Sequence, residues 1–104
     1  TSRQLKRILK RTGVGIARTG GYTGHGSGEV MIGFTTANRI PSGCEEELLQ
    51  LSAIPEHVIN RAFLAAAEAE QEAILNSMTA AKQTRGRKGE LYYSLAEYLN
   101  DRNA

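Results

Sequence analysis

The chain has no tryptophan, one cysteine, two histidines and two prolines in 104 residues, and each scarcity removes a class of chemistry. A single thiol, Cys44, cannot close an intrachain disulfide, and its neighbours Gly43 and Glu45 supply no cation that would activate it. His25 and His57 are far apart, and no HExxH or paired-cysteine spacing accompanies them. No metal and no cofactor is therefore expected. No apolar run approaches the ~18 residues of a membrane span, so no membrane partner is expected. The net charge of +2 is too small to imply nucleic acid, although six of the thirteen Lys and Arg residues lie within the first eighteen positions. The expected compartment is the cytoplasm, with any signal region lying outside these residues.

What is present has the composition of a globular protein, 40% hydrophobic and 23% charged. The length suits one domain over residues 1–104, with a thin core. Residues 1–18 read as an amphipathic helix capped by Ser2, with Leu5, Ile8, Leu9 and Ile16 in one stripe and the basic residues on a solvated face. Nine of the eleven glycines fall between Gly13 and Gly43, most densely from Gly20 to Gly28, which marks a loop. That loop lacks the Gly-Lys-Ser/Thr ending of a phosphate cradle and leads into a strand pattern.

From Ser27 the side chains alternate. Val30, Ile32 and Phe34 form the expected core face, while Ser27, Glu29, Met31, Gly33 and Thr35 form the other. Residues 39–53 read as a surface connector with an acidic run, Glu45-Glu46-Glu47, and a helical turn near 46–51. A long helix is expected from Pro55 to about Lys82, with Ile59, Phe63, Ala66, Ala73, Ile74 and Met78 packed inward. The basic turn from Thr84 to Gly89 breaks it. A short strand at Leu91-Tyr92-Tyr93 and a final helix, Leu95 to Asp101 capped by Ser94, complete an α+β order.

Nucleophilic catalysis by a serine elbow does not fit, because Gly26-Ser27-Gly28 lacks the Gly-x-Ser-x-Gly spacing and no helix follows it. Ser27 and Glu29 nevertheless put a hydroxyl and a carboxylate side by side on one strand face. Two readings stay open on the residues alone: the wet face of an edge strand, or a pair that orients a reacting group supplied by a neighbouring strand.

Five blocks carry a resemblance. Gln4-Leu5-Lys6-Arg7, Gly15-Ile16-Ala17-Arg18-Thr19-Gly20, and His25-Gly26-Ser27-Gly28-Glu29 running into Gly33-Phe34-Thr35-Thr36-Ala37-Asn38 resemble the β subunit of the D-aminopeptidase/β-aminopeptidase (DmpA-like) family. So do Glu68 to Ser77 and Thr84 to Gly89. The resemblance implies an αββα layered fold, a precursor that cuts itself before a serine, and a serine aminopeptidase whose nucleophile uses its own α-amine as base. It places the supporting hydroxyl and carboxylate on Ser27 and Glu29, with the nucleophilic serine upstream of Thr1. Thr1 and Ser2 stand at a helix start with nothing strand-like after them, so neither is the expected nucleophile. The implied partners are an N-terminal α subunit, a peptide or amino-acid amide substrate, and further αβ units in a homo-oligomer. The 104 residues alone are expected to be inactive. The rival reading is a non-catalytic binding or assembly domain using the basic first helix.

Overall fold

The computed structural model describes residues 1–102. Helix α1 spans Ser2–Arg18, α2 spans Ile59–Ala80, strands β1 (Thr84–Arg85) and β2 (Leu91–Tyr92) form an antiparallel pair, and α3 spans Leu95–Arg102. The architecture is mixed α and β, as expected, and the range 1–104 extends two residues past those described.

The first helix is capped by Thr1, not Ser2. Thr1 Oγ1 accepts the Gln4 amide at 3.4 Å, and the Gln4 side chain reaches back to the Thr1 nitrogen. A glutamine three residues after the cap lets two orphan helix-end donors be satisfied reciprocally, and only Thr1 has one at that spacing. Ser94 and Glu97 repeat the device at α3, where Ser94 Oγ accepts the Glu97 amide and Glu97 Oε2 accepts the Ser94 amide. The long helix starts later than expected. Pro55 sits in a turn, its carbonyl accepting the Val58 amide at 3.0 Å, and Ile59 is the first helical residue. Among the described residues, the connector forms no helical turn at 46–51.

The two long helices lie parallel. Arg3 and Arg7 meet Glu56, Arg7 and Arg11 lie over Phe63, Gly15 abuts Ala67, and Arg18 reaches Gln71, so contacts advance together along both chains. The buried residues are few: Ile59, Ala67 and Gly15 lie along this seam with Gln4 at its end, and Ser94 is buried at the start of α3. Ala67 is the buried centre of α2, whereas Ala73 and Met78 from the expected stripe are exposed: α2 runs past the end of α1, and Met78 is only partly covered, beside Tyr93, Leu95 and Tyr98. The basic residues of α1 are not simply a solvated face. Arg3 and Arg7 clamp Glu56 at 2.9 and 2.6 Å, and the Arg11 guanidinium lies 3.9 Å from the Phe63 ring centroid.

Residues 27–35 cross α1 in the opposite direction. Thr35 shares a hollow with Leu5 and Ile8, Gly33 packs on Leu9, Met31 on Gly13, and Glu29 lies beside Ile16. Two residues of this segment advance as far as four residues of α1, about 6.6 Å against about 6 Å, which is the rise of a strand. Yet among the described residues it has no ladder partner. The expected strand is thus present as a run of alternating side chains without a sheet. Its faces are also reversed: Val30, Ile32 and Phe34 are 86–89% exposed, while Met31 and Gly33 rest on α1. Alternation separates two faces but does not say which one is covered.

Candidate functional site

Ser27 and Glu29 are brought together in one hollow of about 410 Å³ at the C-terminal end of α1, floored by Ile16 and walled by the glycine loop from Gly20 to Gly26. The loop folds tightly enough to make it because Gly20 takes φ +98° and Thr23 takes φ +52°. A β-branched residue in the left-handed region is strained. Thr23 donates its hydroxyl to the Tyr22 carbonyl at 2.8 Å. The Ser27 amide then closes a turn on the Gly24 carbonyl at 3.1 Å. Ser27 and Glu29 are both exposed, and among the described residues no hydrogen bond joins them. They face an opening, free to bond to a third group.

Two side chains that the sequence reading passed over lie in the same hollow. His25 and Tyr22 both line it. The available signal was their position in the loop, within five residues of Ser27. Glu29 also borders a second hollow of about 190 Å³, where Glu70 of α2 and Thr12 of α1 are its neighbours. Glu70 arrives there because Gly15 has no side chain: a Cβ at residue 15 would lie 2.7 Å from the Glu70 Cβ. His57 is elsewhere, in the turn that precedes α2.

Thr1 lies at the other end of α1, beside a hollow of about 230 Å³ shared with Thr35, Asn38 and Ile54. Two carboxamides organise that end. Gln4 bonds both the amide and the carbonyl of Ile54, and Asn38 bonds both backbone groups of Ser52 at 2.8 and 2.9 Å. Side chains here replace a neighbouring strand, because residues 52 and 54 of an extended segment present their polar groups along one edge.

Among the described residues no three His, Cys, Asp or Glu side chains gather as metal ligands, and no helix is long and apolar enough to cross a membrane. Cys44 is exposed and unbridged.

A serine and a carboxylate thus lie open at the end of a helix, beside a glycine loop. The sequence model described as Peptidase family S58 matches residues 1–92, and the chain belongs to that family, the DmpA-like group its motifs resemble. It is 34% identical over 86 residues to a beta-peptidyl aminopeptidase BapA of Sphingosinicella microcystinivorans, covering 83% of this chain and 22% of that protein. A BapA of Sphingosinicella xenopeptidilytica is 28% identical over 93 residues, covering 88% and 23%. The PH0078 protein from Pyrococcus horikoshii OT3 superposes with a TM-score of 0.86 at 45% identity, covering 98% of this chain and 29% of that structure. The chain thus spans less than a third of these relatives.

Proposed function

We propose that this chain is the C-terminal portion of a self-processing serine aminopeptidase that hydrolyses N-terminal amino-acid amides, peptides or esters. Ser27 and Glu29 support a nucleophilic serine contributed from upstream of Thr1. The observation that carries this reading is the antiparallel course of residues 27–35 along α1. The chain entering α1 arrives at the Thr35–Asn38 end. A strand that lies beside 27–35 and feeds into that end runs parallel to it, the arrangement a helical crossover serves. Such a strand starts level with Ser27 and Glu29, which is where a serine freed by self-cleavage has to stand. The exposed Val30, Ile32 and Phe34 then face the second sheet of an αββα sandwich.

The chemistry follows from that placement. The serine hydroxyl gives its proton to its own α-amine as the oxygen bonds the substrate acyl carbon. The bond from that carbon to the leaving nitrogen breaks, and the ammonium returns the proton to the departing amine. Water then attacks the ester and restores the serine. Ser27 hydrogen-bonds around the amine and hydroxyl, and the Glu29 carboxylate balances the ammonium while it is charged. Oxyanion donors and the groups gripping the substrate amine come from the α subunit. The α subunit, the peptide or amide substrate and further αβ units are the proposed partners. The basic-helix binding reading loses ground, since Arg3, Arg7 and Arg11 are engaged within the chain.

In the complete protein, Ser27→Ala and Glu29→Gln are each expected to lower turnover of an amino-acid p-nitroanilide by on the order of 10²-fold or more. Their unfolding midpoints should barely move, since both side chains are exposed. Wild-type turnover in both variants would overturn the assignment.

A further inference from the structure

Glu29 borders two hollows, and only one of them holds Ser27. The other, of about 190 Å³, is bounded by three elements of this chain: Leu9, Thr12 and Ile16 of α1, residues 30–32 of the extended segment, and Glu70 of α2. It is made by the packing of those elements on one another. Ile16 lines both hollows, so the Glu29 side chain has two directions open to it, one on each side of Ile16.

The two directions differ in chemistry. On the Ser27 side stand the hydroxyls of Ser27 and Tyr22 and the imidazole of His25. On the other side no side chain has a hydrogen to give a carboxylate. Thr12 already donates its hydroxyl to the Leu9 carbonyl at 2.7 Å, and the remaining neighbours are apolar except one. That one is Glu70, a second carboxylate, and like charges in a small hollow repel. Arg18 reaches Gln71 at 3.5 Å but does not line the hollow. Glu70 is half-buried, and among the described residues it forms no ion pair. Its place is fixed by main chain: a Cβ on Gly15 would lie 2.7 Å from the Glu70 Cβ and 2.5 Å from the Ala67 carbonyl oxygen, so this turn of α2 rests directly on α1.

We propose that Glu70 is a positioning residue for Glu29, its charge turning the Glu29 carboxylate out of the small hollow and toward Ser27. The group that balances the nucleophile's ammonium is then aimed before substrate arrives, and the reaction need not reorient it. The inference rests on the catalytic reading of Ser27 and Glu29 and adds what aims the second of them. Glu70 itself lies outside the Ser27 hollow.

The test is a set of Glu70 variants in the complete protein, read as kcat and KM on an amino-acid p-nitroanilide, with thermal unfolding measured alongside. Aiming and packing give opposite orders. Glu70→Gln keeps the shape but exchanges the repelling charge for a carboxamide that donates to Glu29 and holds it in the wrong hollow. Its kcat should fall by ~10-fold or more at nearly constant KM. Glu70→Asp keeps the charge and should stay within about 2-fold of wild type. Glu70→Ala, with neither charge nor donor, should fall between them. A side chain that only filled space would tolerate Gln best and Ala worst. In a Glu29→Gln background, Glu70→Gln should cause no further loss, because a residue that acts through another is not additive with it. Wild-type kcat in Glu70→Gln, an equal loss in Glu70→Asp, or full additivity with Glu29→Gln overturns the inference. Should Glu70→Gln fail to fold, Glu70→Ala decides in its place, and a kcat equal to that of Glu70→Asp overturns it. The catalytic reading fails separately, by wild-type turnover in Ser27→Ala and Glu29→Gln.

Discussion

Gly15 and Ala67 are in backbone contact across the helix seam: a methyl group built on Gly15 would lie 2.5 Å from the Ala67 carbonyl oxygen. The obstacle is main chain, which cannot swing aside as a side chain can. Glycine at residue 15 weakens α1 by its own propensity, by about 1 kcal/mol relative to alanine. Here the usual gain on replacement is reversed. Gly15→Ala should destabilise the protein by about 1–3 kcal/mol, the range for overpacked interiors, as read from denaturant midpoints. A stabilised variant would mean that the helices do not approach this closely.

Gln4 offers a test of the other end of the seam. It is 4% exposed, and its amide satisfies both backbone groups of Ile54. Gln4→Ala should cost about 1–3 kcal/mol, because a partly buried donor and acceptor lose their partners together. Amide exchange at Ile54 should accelerate in the variant, whereas exchange at Ala67 should change only through global stability.

Glu56 gives the stability a pH dependence of definite sign. The Arg7 hydrogen bond is the largest influence and, with the charge of Arg7 and the contacts of Arg3, holds the carboxyl below the usual value against the opposing effect of desolvation. A carboxylate with a depressed folded-state pKa stabilises the fold above its unfolded pKa, and the contribution is lost as pH falls through the folded value. Wild type and Glu56→Gln should therefore differ most near neutrality and converge in acid. The difference should shrink in high salt as well, since the carboxylate is exposed. A gap that widens on acidification would contradict the ion-pair account.

Thr23 is a place where strain points to use. Its φ of +52° suits glycine, so Thr23→Gly should relieve a cost of about 1–3 kcal/mol, offset in part by the greater entropy of a glycine chain. The expected result is equal or higher thermal stability with reduced turnover in the complete protein, because the loop would no longer be fixed around Ser27. Unchanged turnover would show the strain to be incidental to the site.

The helices were legible because each leaves a periodic trace: the α1 stripe, the alanine-rich run of α2 and the Ser94 cap all occur where the pattern put them. The boundaries were less so. Pro55 suits a helix start but serves as the turn before it, and Gln4, not a serine, decided which residue caps α1. The site was half legible. Ser27 and Glu29 were visible as a pair by alternation, and the Gly-Ser-Gly-acid motif carried the family. The direction of their face was not, since Val30, Ile32 and Phe34 look like a core whatever lies over them. Glu70 could not be associated with Glu29 from sequence, because their proximity depends on how closely α2 approaches Gly15.

The parallel course of α1 and α2 has an electrostatic consequence. Each helix carries roughly half a positive charge at its N-terminus, and two helices side by side and parallel place those ends together. Neither has an acidic residue in its first turn, and Arg3 and Arg7 add two full charges at the same end. Glu56, just ahead of α2, is thus the counter-ion to two macrodipoles as well as to two guanidinium groups, and one exposed carboxylate makes this pairing of helices electrically tolerable.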